Sequence, residues 1–258
     1  VSFLGAIFDV DGVLVDSPHE RAWRDALREL MEGDWADVTG STSWTPDAFT
    51  SRVYQERLSG KPRMDGARAA LEYFGVPDVE RRAAEYADRK QDMVVRLIEA
   101  GEFTAFDDAL RFVLAVKDAG IGTAAASSSK NAGLLLGKIR LDEFARREGR
   151  PALPDGYTLR DAFDADISGR DFAHGKPAPD IFLAAAEELG AEPGRCFVVE
   201  DAPSGVKAAK AGGMAGLGVA RADDAALLAA EHADLVVPSL DQVDLDALRR
   251  GELAAGSG

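Results

Sequence analysis

Cysteine occurs once in the 258 residues, at Cys196, which excludes an internal disulfide and a thiolate metal cage. The apolar residues around it, Phe197, Val198 and Val199, predict a buried strand, where a thiol is inert packing. Histidine is nearly as scarce: His19, His174 and His232 lie too far apart for a zinc motif. Basic residues are outnumbered, 30 Lys and Arg against 45 Asp and Glu, for a formal net charge of −15. A nucleic-acid or anionic-membrane partner would need the opposite excess, so neither is expected. An anionic substrate is compatible with this charge only in a pocket whose local field is reversed by a metal and a few lysines. No apolar run reaches the length of a membrane span and nothing at the N-terminus resembles a signal peptide, so a cytoplasmic chain is expected. There is no internal repeat.

What is present is ordinary globular composition, 46% hydrophobic and 29% charged, with acidic and polar clusters in particular places. Leu4-Gly5-Ala6-Ile7 predicts the end of a buried strand, followed by Phe8-Asp9-Val10-Asp11-Gly12-Val13-Leu14-Val15-Asp16. Residues two apart share a side of a strand, so Asp9 and Asp11 bring two carboxylates together where the strand ends, and Gly12 permits a sharp exit. Two such carboxylates repel unless a divalent cation or a shared proton lies between them. Taken alone, Asp-x-Asp-Gly reads better as an acidic turn after a strand.

Ser17, Pro18 and Glu20 predict a helix start capped by Ser17, with the helix running to about Met31. From there to about Glu102 the patterning is helical, clearest over 67–74 and 80–100, and predicts a separate helical domain inserted after the first strand. From Asp107 onward helices alternate with short apolar runs at 121–126, 197–199, 217–219 and 235–237. Alternation of this kind predicts a parallel sheet covered on both faces, whose ligands bind at the carboxyl ends of the strands. Ser127, and the pair Glu200-Asp201, each fall directly after a predicted strand. The stretch 142–171 predicts a surface loop or part of a substrate entrance.

In order, Asp9-x-Asp11-Gly12, Ser127, Lys176 within Gly-Lys-Pro-x-Pro-Asp, and Glu200-Asp201 resemble the four motifs of the haloacid dehalogenase superfamily. Within it the chain is most similar to the β-phosphoglucomutase and sugar-phosphate phosphatase branch, which carries a helical cap in the same place. The resemblance implies an α/β fold, a doubly wound parallel-sheet, Rossmann-like core formed by 1–16 and 103–258, with a helical cap domain over 17–102. It implies Mg²⁺-dependent phosphoryl transfer on a small sugar phosphate, with Asp9 as the nucleophile that becomes an aspartyl phosphate and Asp11 as general acid and then base. Mg²⁺ would be held by the Asp9 carboxylate, the Asp11 main-chain carbonyl and Asp201, with Glu200 close by. Ser127 would cradle the phosphoryl oxygens, and Lys176 would offset their charge against Asp9.

Substrate contacts implied by the same resemblance are His19, Gly60, Arg63 and Lys90 in the cap segments and Ser128, Ser129, Lys130 and Asn131 after Ser127. Arg63 falls where the branch binds the phosphate that is not transferred. The expected partner is a small phosphorylated molecule, bound by a monomer. A mutase returning the group to sugar, a phosphatase giving it to water, and a non-catalytic phosphate-binding protein on the same fold all stay open. Dehalogenation is disfavoured, because Asp11 has no part in it, and a phosphonatase would need a cap lysine such as Lys61.

Overall fold

All four residues of β1, Gly5–Phe8, are buried, which is why this strand reads as an unbroken apolar run rather than an alternating one. The computed structural model describes residues 2–59, 61–222 and 224–256. In it, β1 pairs in parallel with β4 (Gly122–Ala125) on one side and β6 (Cys196–Glu200) on the other. The six-stranded sheet has the order β5-β4-β1-β6-β7-β8, where β5 is Ala165–Asp166, β7 Ala215–Val219 and β8 Leu235–Val237. The strands are parallel throughout.

Successive side chains of β1 serve opposite faces of this sheet. Ile7 joins a cluster with Phe182 and Ala185 of α9 (Asp180–Glu188) and Ala208 and Ala209 of α10 (Pro203–Ala211). Phe8 turns the other way and meets Phe112 of α6 (Asp107–Asp118) and Phe163 edge-on, at centroid distances of 6.1 and 5.8 Å. The core is therefore doubly wound, with β1 at its centre. After β1 the chain adds β4 and β5 on one side and then crosses to add β6, β7 and β8 on the other. That reversal beside β1 is the topological switch point at which such sheets bind ligands.

The chain divides into two compact units, one formed by 1–16 and 104–258 and the other by 17–103. In the first, β2 (Val15–Asp16) pairs antiparallel with β3 (Thr104–Ala105). The second is helical: α1 (His19–Glu32), α2 (Ala36–Thr39), α3 (Ser51–Arg57), α4 (Arg63–Phe74) and α5 (Val79–Glu99). Its centre is the edge-to-face pair of Trp23 and Tyr86 at 4.9 Å, where the Tyr86 hydroxyl donates to the Trp23 carbonyl at 2.8 Å. No helix among the described residues is long and apolar enough to cross a membrane.

Two local expectations are corrected. Ser17 does not cap α1: Pro18 holds the N-cap position without a side-chain hydrogen bond, and Glu20 instead accepts from the Ser51 hydroxyl at 2.7 Å. The stretch 142–171 is not a plain loop. It contains most of α8 (Leu141–Arg147), a short 3₁₀ turn over Arg160–Ala162, and the edge strand β5. Asp142 ties it down, accepting from Arg140 at 2.9 and 2.6 Å and from the Gly156 N–H at 3.0 Å.

Candidate active site

Asp9 is the first residue beyond β1, and its N–H still donates to the Val199 carbonyl of β6 at 3.0 Å. The chain then folds on itself: the N–H groups of Leu14 and Val15 both donate to the Val10 carbonyl, and the Gly12 N–H donates to that of Val15. Closing so tight a loop puts Gly12 at φ +82°, in the left-handed region. A second reason for glycine is space, since a Cβ there would collide with the Asp201 carboxylate. Asp201 thus lies directly against the loop that carries Asp11.

Lys176 enters from the segment before α9. Its side chain is 6% exposed, and its Nζ donates to Asp9 Oδ1 at 2.6 Å and to Glu200 Oε1 at 2.5 Å. The ammonium also sits over the Phe182 ring, 4.8 Å from its centroid. Glu200, the last residue of β6, uses Oε2 to accept the N–H groups of Asp201 and Ala202, each at 3.1 Å, just ahead of α10. A Cβ at Gly205 would overlap this carboxylate. Both oxygens of Glu200 are engaged by the protein itself, one by Lys176 and the other by the two main-chain N–H groups.

Ser127 follows β4 and is 2% exposed. Its hydroxyl donates to Asp11 Oδ2 at 3.2 Å and accepts the Ser129 N–H at 3.0 Å. Ser129 Oγ in turn accepts the Asn131 N–H at 3.2 Å. Asn131 is buried, whereas Ser128 and Lys130 are exposed, and Lys130 pairs with Asp171 at 3.1 Å. The ends of three adjacent strands thus bring together Asp9, Asp11, Ser127, Lys176, Glu200 and Asp201. In the helical unit His19 and Lys90 are brought together, Nδ1 to Nζ 3.2 Å, with Lys90 over the Trp23 ring at 5.0 Å. Arg63 opens α4, is exposed, and makes no ion pair among the described residues. Gly60 lies outside the described residues.

The electrostatics of the strand ends are one-sided, four carboxylates meeting one ammonium. Burial pushes the Asp9 carboxyl up to about 7; Lys176 opposes this, while Glu200 and Asp11 add to it. Asp201 is likewise raised well above the carboxylate range by burial, then by Glu200 and Asp9. Burial works against the charge on Lys176, but Asp9 and Glu200 outweigh it and hold the ammonium above its ordinary range. The lysine is well satisfied, whereas the charge on Asp9 and Asp201 is not. Among the described residues no three His, Cys, Asp or Glu side chains form a metal cage. What remains is a pair of carboxylates, Asp9 and Asp201, with main-chain oxygen nearby; that is an all-oxygen set suited to a hard cation which keeps part of its water shell. The under-compensated charge and the Asp201 carboxylate cradled on Gly12 fit such an ion.

Sequence reasoning passed over Arg221 and Asp108. Arg221 stands two residues after β7, so the rule that singled out Ser127 and Glu200 would have found it. Asp108, at the start of α6, carries no such signal.

The haloacid dehalogenase-like hydrolase family matches the chain over residues 4–213. The chain is 37% identical over 253 residues to a β-phosphoglucomutase of Mycobacterium bovis, covering 92% of this chain and 90% of that protein. It is 28% identical over 216 residues to the fructose-1-phosphate phosphatase YqaB of Escherichia coli, covering 82% and 94%. The crystal structure of an archaeal β-phosphoglucomutase from the hyperthermophilic Pyrococcus sp. strain ST 04 aligns with a TM-score of 0.70 at 32% identity, covering 96% of this chain and 97% of that one. The family match takes in every strand end from Asp9 to Asp201, and the chain accordingly belongs to the haloacid dehalogenase-like hydrolases, a family of enzymes.

Proposed function

We propose that the chain transfers the phosphoryl group of a small sugar phosphate by way of Asp9, in the manner of a β-phosphoglucomutase. The observation that carries this reading is the position of Asp9, at the switch point of the sheet with Lys176 on Oδ1 and Asp11 two residues away. Oδ2 of Asp9 accepts no hydrogen bond among the described residues and is the oxygen that attacks phosphorus. As its bond to phosphorus forms, the bond from phosphorus to the ester oxygen breaks, and Asp11 gives that oxygen a proton. Asp11 then takes a proton from the incoming hydroxyl, which attacks phosphorus and frees Asp9. Ser127 holds the Asp11 carboxylate through Oδ2, and Lys176 faces the negative charge on Asp9 and the phosphoryl oxygens. Mg²⁺ would be held by Asp9, Asp201 and the Asp11 main-chain carbonyl, and would supply charge neutralisation for the transferred group.

The test is incubation with Mg²⁺ and a panel of hexose phosphates, with and without a trace of the matching bisphosphate, following both free phosphate and isomer. Metal-dependent turnover of at least one ester is expected, and none on any would sink the reading. Asp201→Ala is expected to raise the Mg²⁺ concentration for half-maximal rate by about tenfold or more, with partial recovery at high metal. An unchanged metal titration would leave Asp201 as only a helix-start carboxylate.

A second reading, a sugar-phosphate phosphatase, is favoured by the similarity to the phosphatase of E. coli. Arg63 discriminates between the two. In a mutase it binds the phosphate that stays, a charge-assisted contact worth about 1.5–3 kcal/mol. Arg63→Ala is then expected to lower isomerisation about tenfold to a hundredfold and to leave hydrolysis of a simple aryl phosphate nearly unchanged. Equal loss of both rates would assign Arg63 to the fold or the general chemistry; no loss of either would favour the phosphatase.

A further inference from the structure

We propose that Arg221 is a positioning residue that fixes the Asp11 loop for proton transfer to the leaving oxygen. The proposal rests on the phosphoryl-transfer reading given above. The loop from Val10 to Val15 satisfies its own N–H groups at positions 12, 14 and 15 with the carbonyls of Val10 and Val15. The carbonyls of Gly12 and Val13 are met from outside, by Arg221. Its Nη2 donates to Val13 O at 3.0 Å, and its Nε reaches toward Gly12 O at 3.4 Å. The remaining arm, Nη1, donates to Asp108 Oδ2 at 2.7 Å. One planar guanidinium therefore spans from α6 to the two residues that follow Asp11. An ammonium, with a single point of charge, has no such span.

The arginine is itself held. Its Cζ lies 4.0 Å from the centroid of Phe106, whose N–H donates to the Leu14 carbonyl of the same loop at 3.0 Å. Asp108 Oδ2 also accepts from Ser239 Oγ at 2.9 Å and the Leu240 N–H at 2.8 Å, and Oδ1 accepts the Ala109 N–H at 2.9 Å. The side chains of Arg221 and Asp108 are 19% and 9% exposed. Burial works to raise the Asp108 carboxyl, but Arg221, the Leu240 N–H and Ser239 outweigh it and hold it below the ordinary range. The anchor is thus charged at any working pH. Its purpose is angular. The Asp11–Gly12 and Gly12–Val13 peptide planes set where the Asp11 carboxylate points, and a displacement of about 1 Å at a reacting group costs on the order of a hundredfold in rate. Asp9 is fixed independently, by the strand register through Val199 and by Lys176. With Mg²⁺ saturating, so that the Asp11 carbonyl proposed as its ligand does not limit the rate, loosening the loop therefore injures the proton donor more than the nucleophile.

That difference gives the experiment. A sugar phosphate that the wild type turns over needs a proton on its leaving oxygen, whereas 2,4-dinitrophenyl phosphate does not. Arg221→Met is expected to lower the single-turnover rate of leaving-group release from the sugar phosphate by about thirtyfold to a hundredfold, with the half-saturating concentration changed by less than about threefold, and to lower the single-turnover release of dinitrophenolate, which precedes the step in which Asp11 acts as base, by less than about threefold. Arg221→Lys is expected to recover part of the loss, and Asp108→Asn to show the same pattern at smaller size. If Arg221→Met does not fold, Arg221→Lys and Asp108→Asn decide by the same ratio between substrates. Equal losses on both esters, or no loss, overturn the assignment while leaving the phosphoryl-transfer reading in place. A wild type that turns over neither ester in Mg²⁺ overturns both.

Discussion

Asp9→Asn is expected to remove turnover, by on the order of 10⁴-fold or more, and to leave the fold standing. The amide is close in shape to the carboxylate but cannot form the acyl phosphate that the proposed transfer requires. Stability survives because Lys176 keeps its second partner, Glu200, at 2.5 Å. The pH dependence carries a further check. In the folded protein burial lifts the Asp9 carboxyl from 3.8 to about 7, so without metal the folded chain holds this proton more tightly than the unfolded chain does. A carboxyl raised in this way makes the wild type lose stability as pH climbs from 3.8 through about 7. Asp9→Asn escapes that loss. In chelator its melting temperature is expected to match the wild type near pH 4 and to exceed it at pH 8. Residual turnover of more than a small fraction of the wild-type rate, in a preparation free of contaminating phosphatase, would remove Asp9 from the role of nucleophile.

The sheet was legible because a parallel strand covered on both faces has no choice but to be apolar along its whole length. β1, β4, β6, β7 and β8 all announced themselves this way, and the residues after three of them form the candidate site. β5 did not. It is two residues long at the edge of the sheet, and Ala165-Asp166 carries too little pattern to separate it from a turn. The Ser17 cap failed for a related reason, since a local signal competes with tertiary partners, and Glu20 is drawn to Ser51 instead. Within the site, single side chains at strand ends were readable, but their pairing was not. Nothing in the sequence says that both oxygens of Glu200 are occupied, one by Lys176 and the other by the N–H groups of Asp201 and Ala202. The strut from Asp108 through Arg221 to Gly12 and Val13 joins residues 113, 209 and 208 positions apart in the chain, and only the fold brings them together.

Lys176→Met is expected to destabilise the protein more than any other single change at the site. The ammonium is 6% exposed and lies between Asp9 and Glu200, whose side chains are 10% and 2% exposed. Methionine fills much the same volume over the Phe182 ring but returns no charge, so two buried carboxylates lose their common partner. Removing one side of a buried pair in this way costs about 3–5 kcal/mol, which for a chain of this size is roughly a 6–20 °C fall in melting temperature. The sign of the pH dependence follows from the same charges. Without Lys176 the Asp9 carboxyl, already raised by burial, rises further above its unfolded value, so the variant gains stability on acidification, and its deficit is largest at pH 8 and shrinks toward pH 4. Mg²⁺ is expected to return part of the loss, because a divalent cation relieves the same excess of negative charge. Turnover falls as well, by on the order of 10²–10³-fold, the usual cost of deleting one fixed electrostatic group at a reacting centre. Melting curves in chelator at pH 4, 6 and 8, repeated with Mg²⁺, separate these effects. A variant as stable as the wild type at pH 8, with no rise on acidification, would mean that solvent and main-chain N–H groups already neutralise Asp9 and Glu200, and that Lys176 is not their counter-charge.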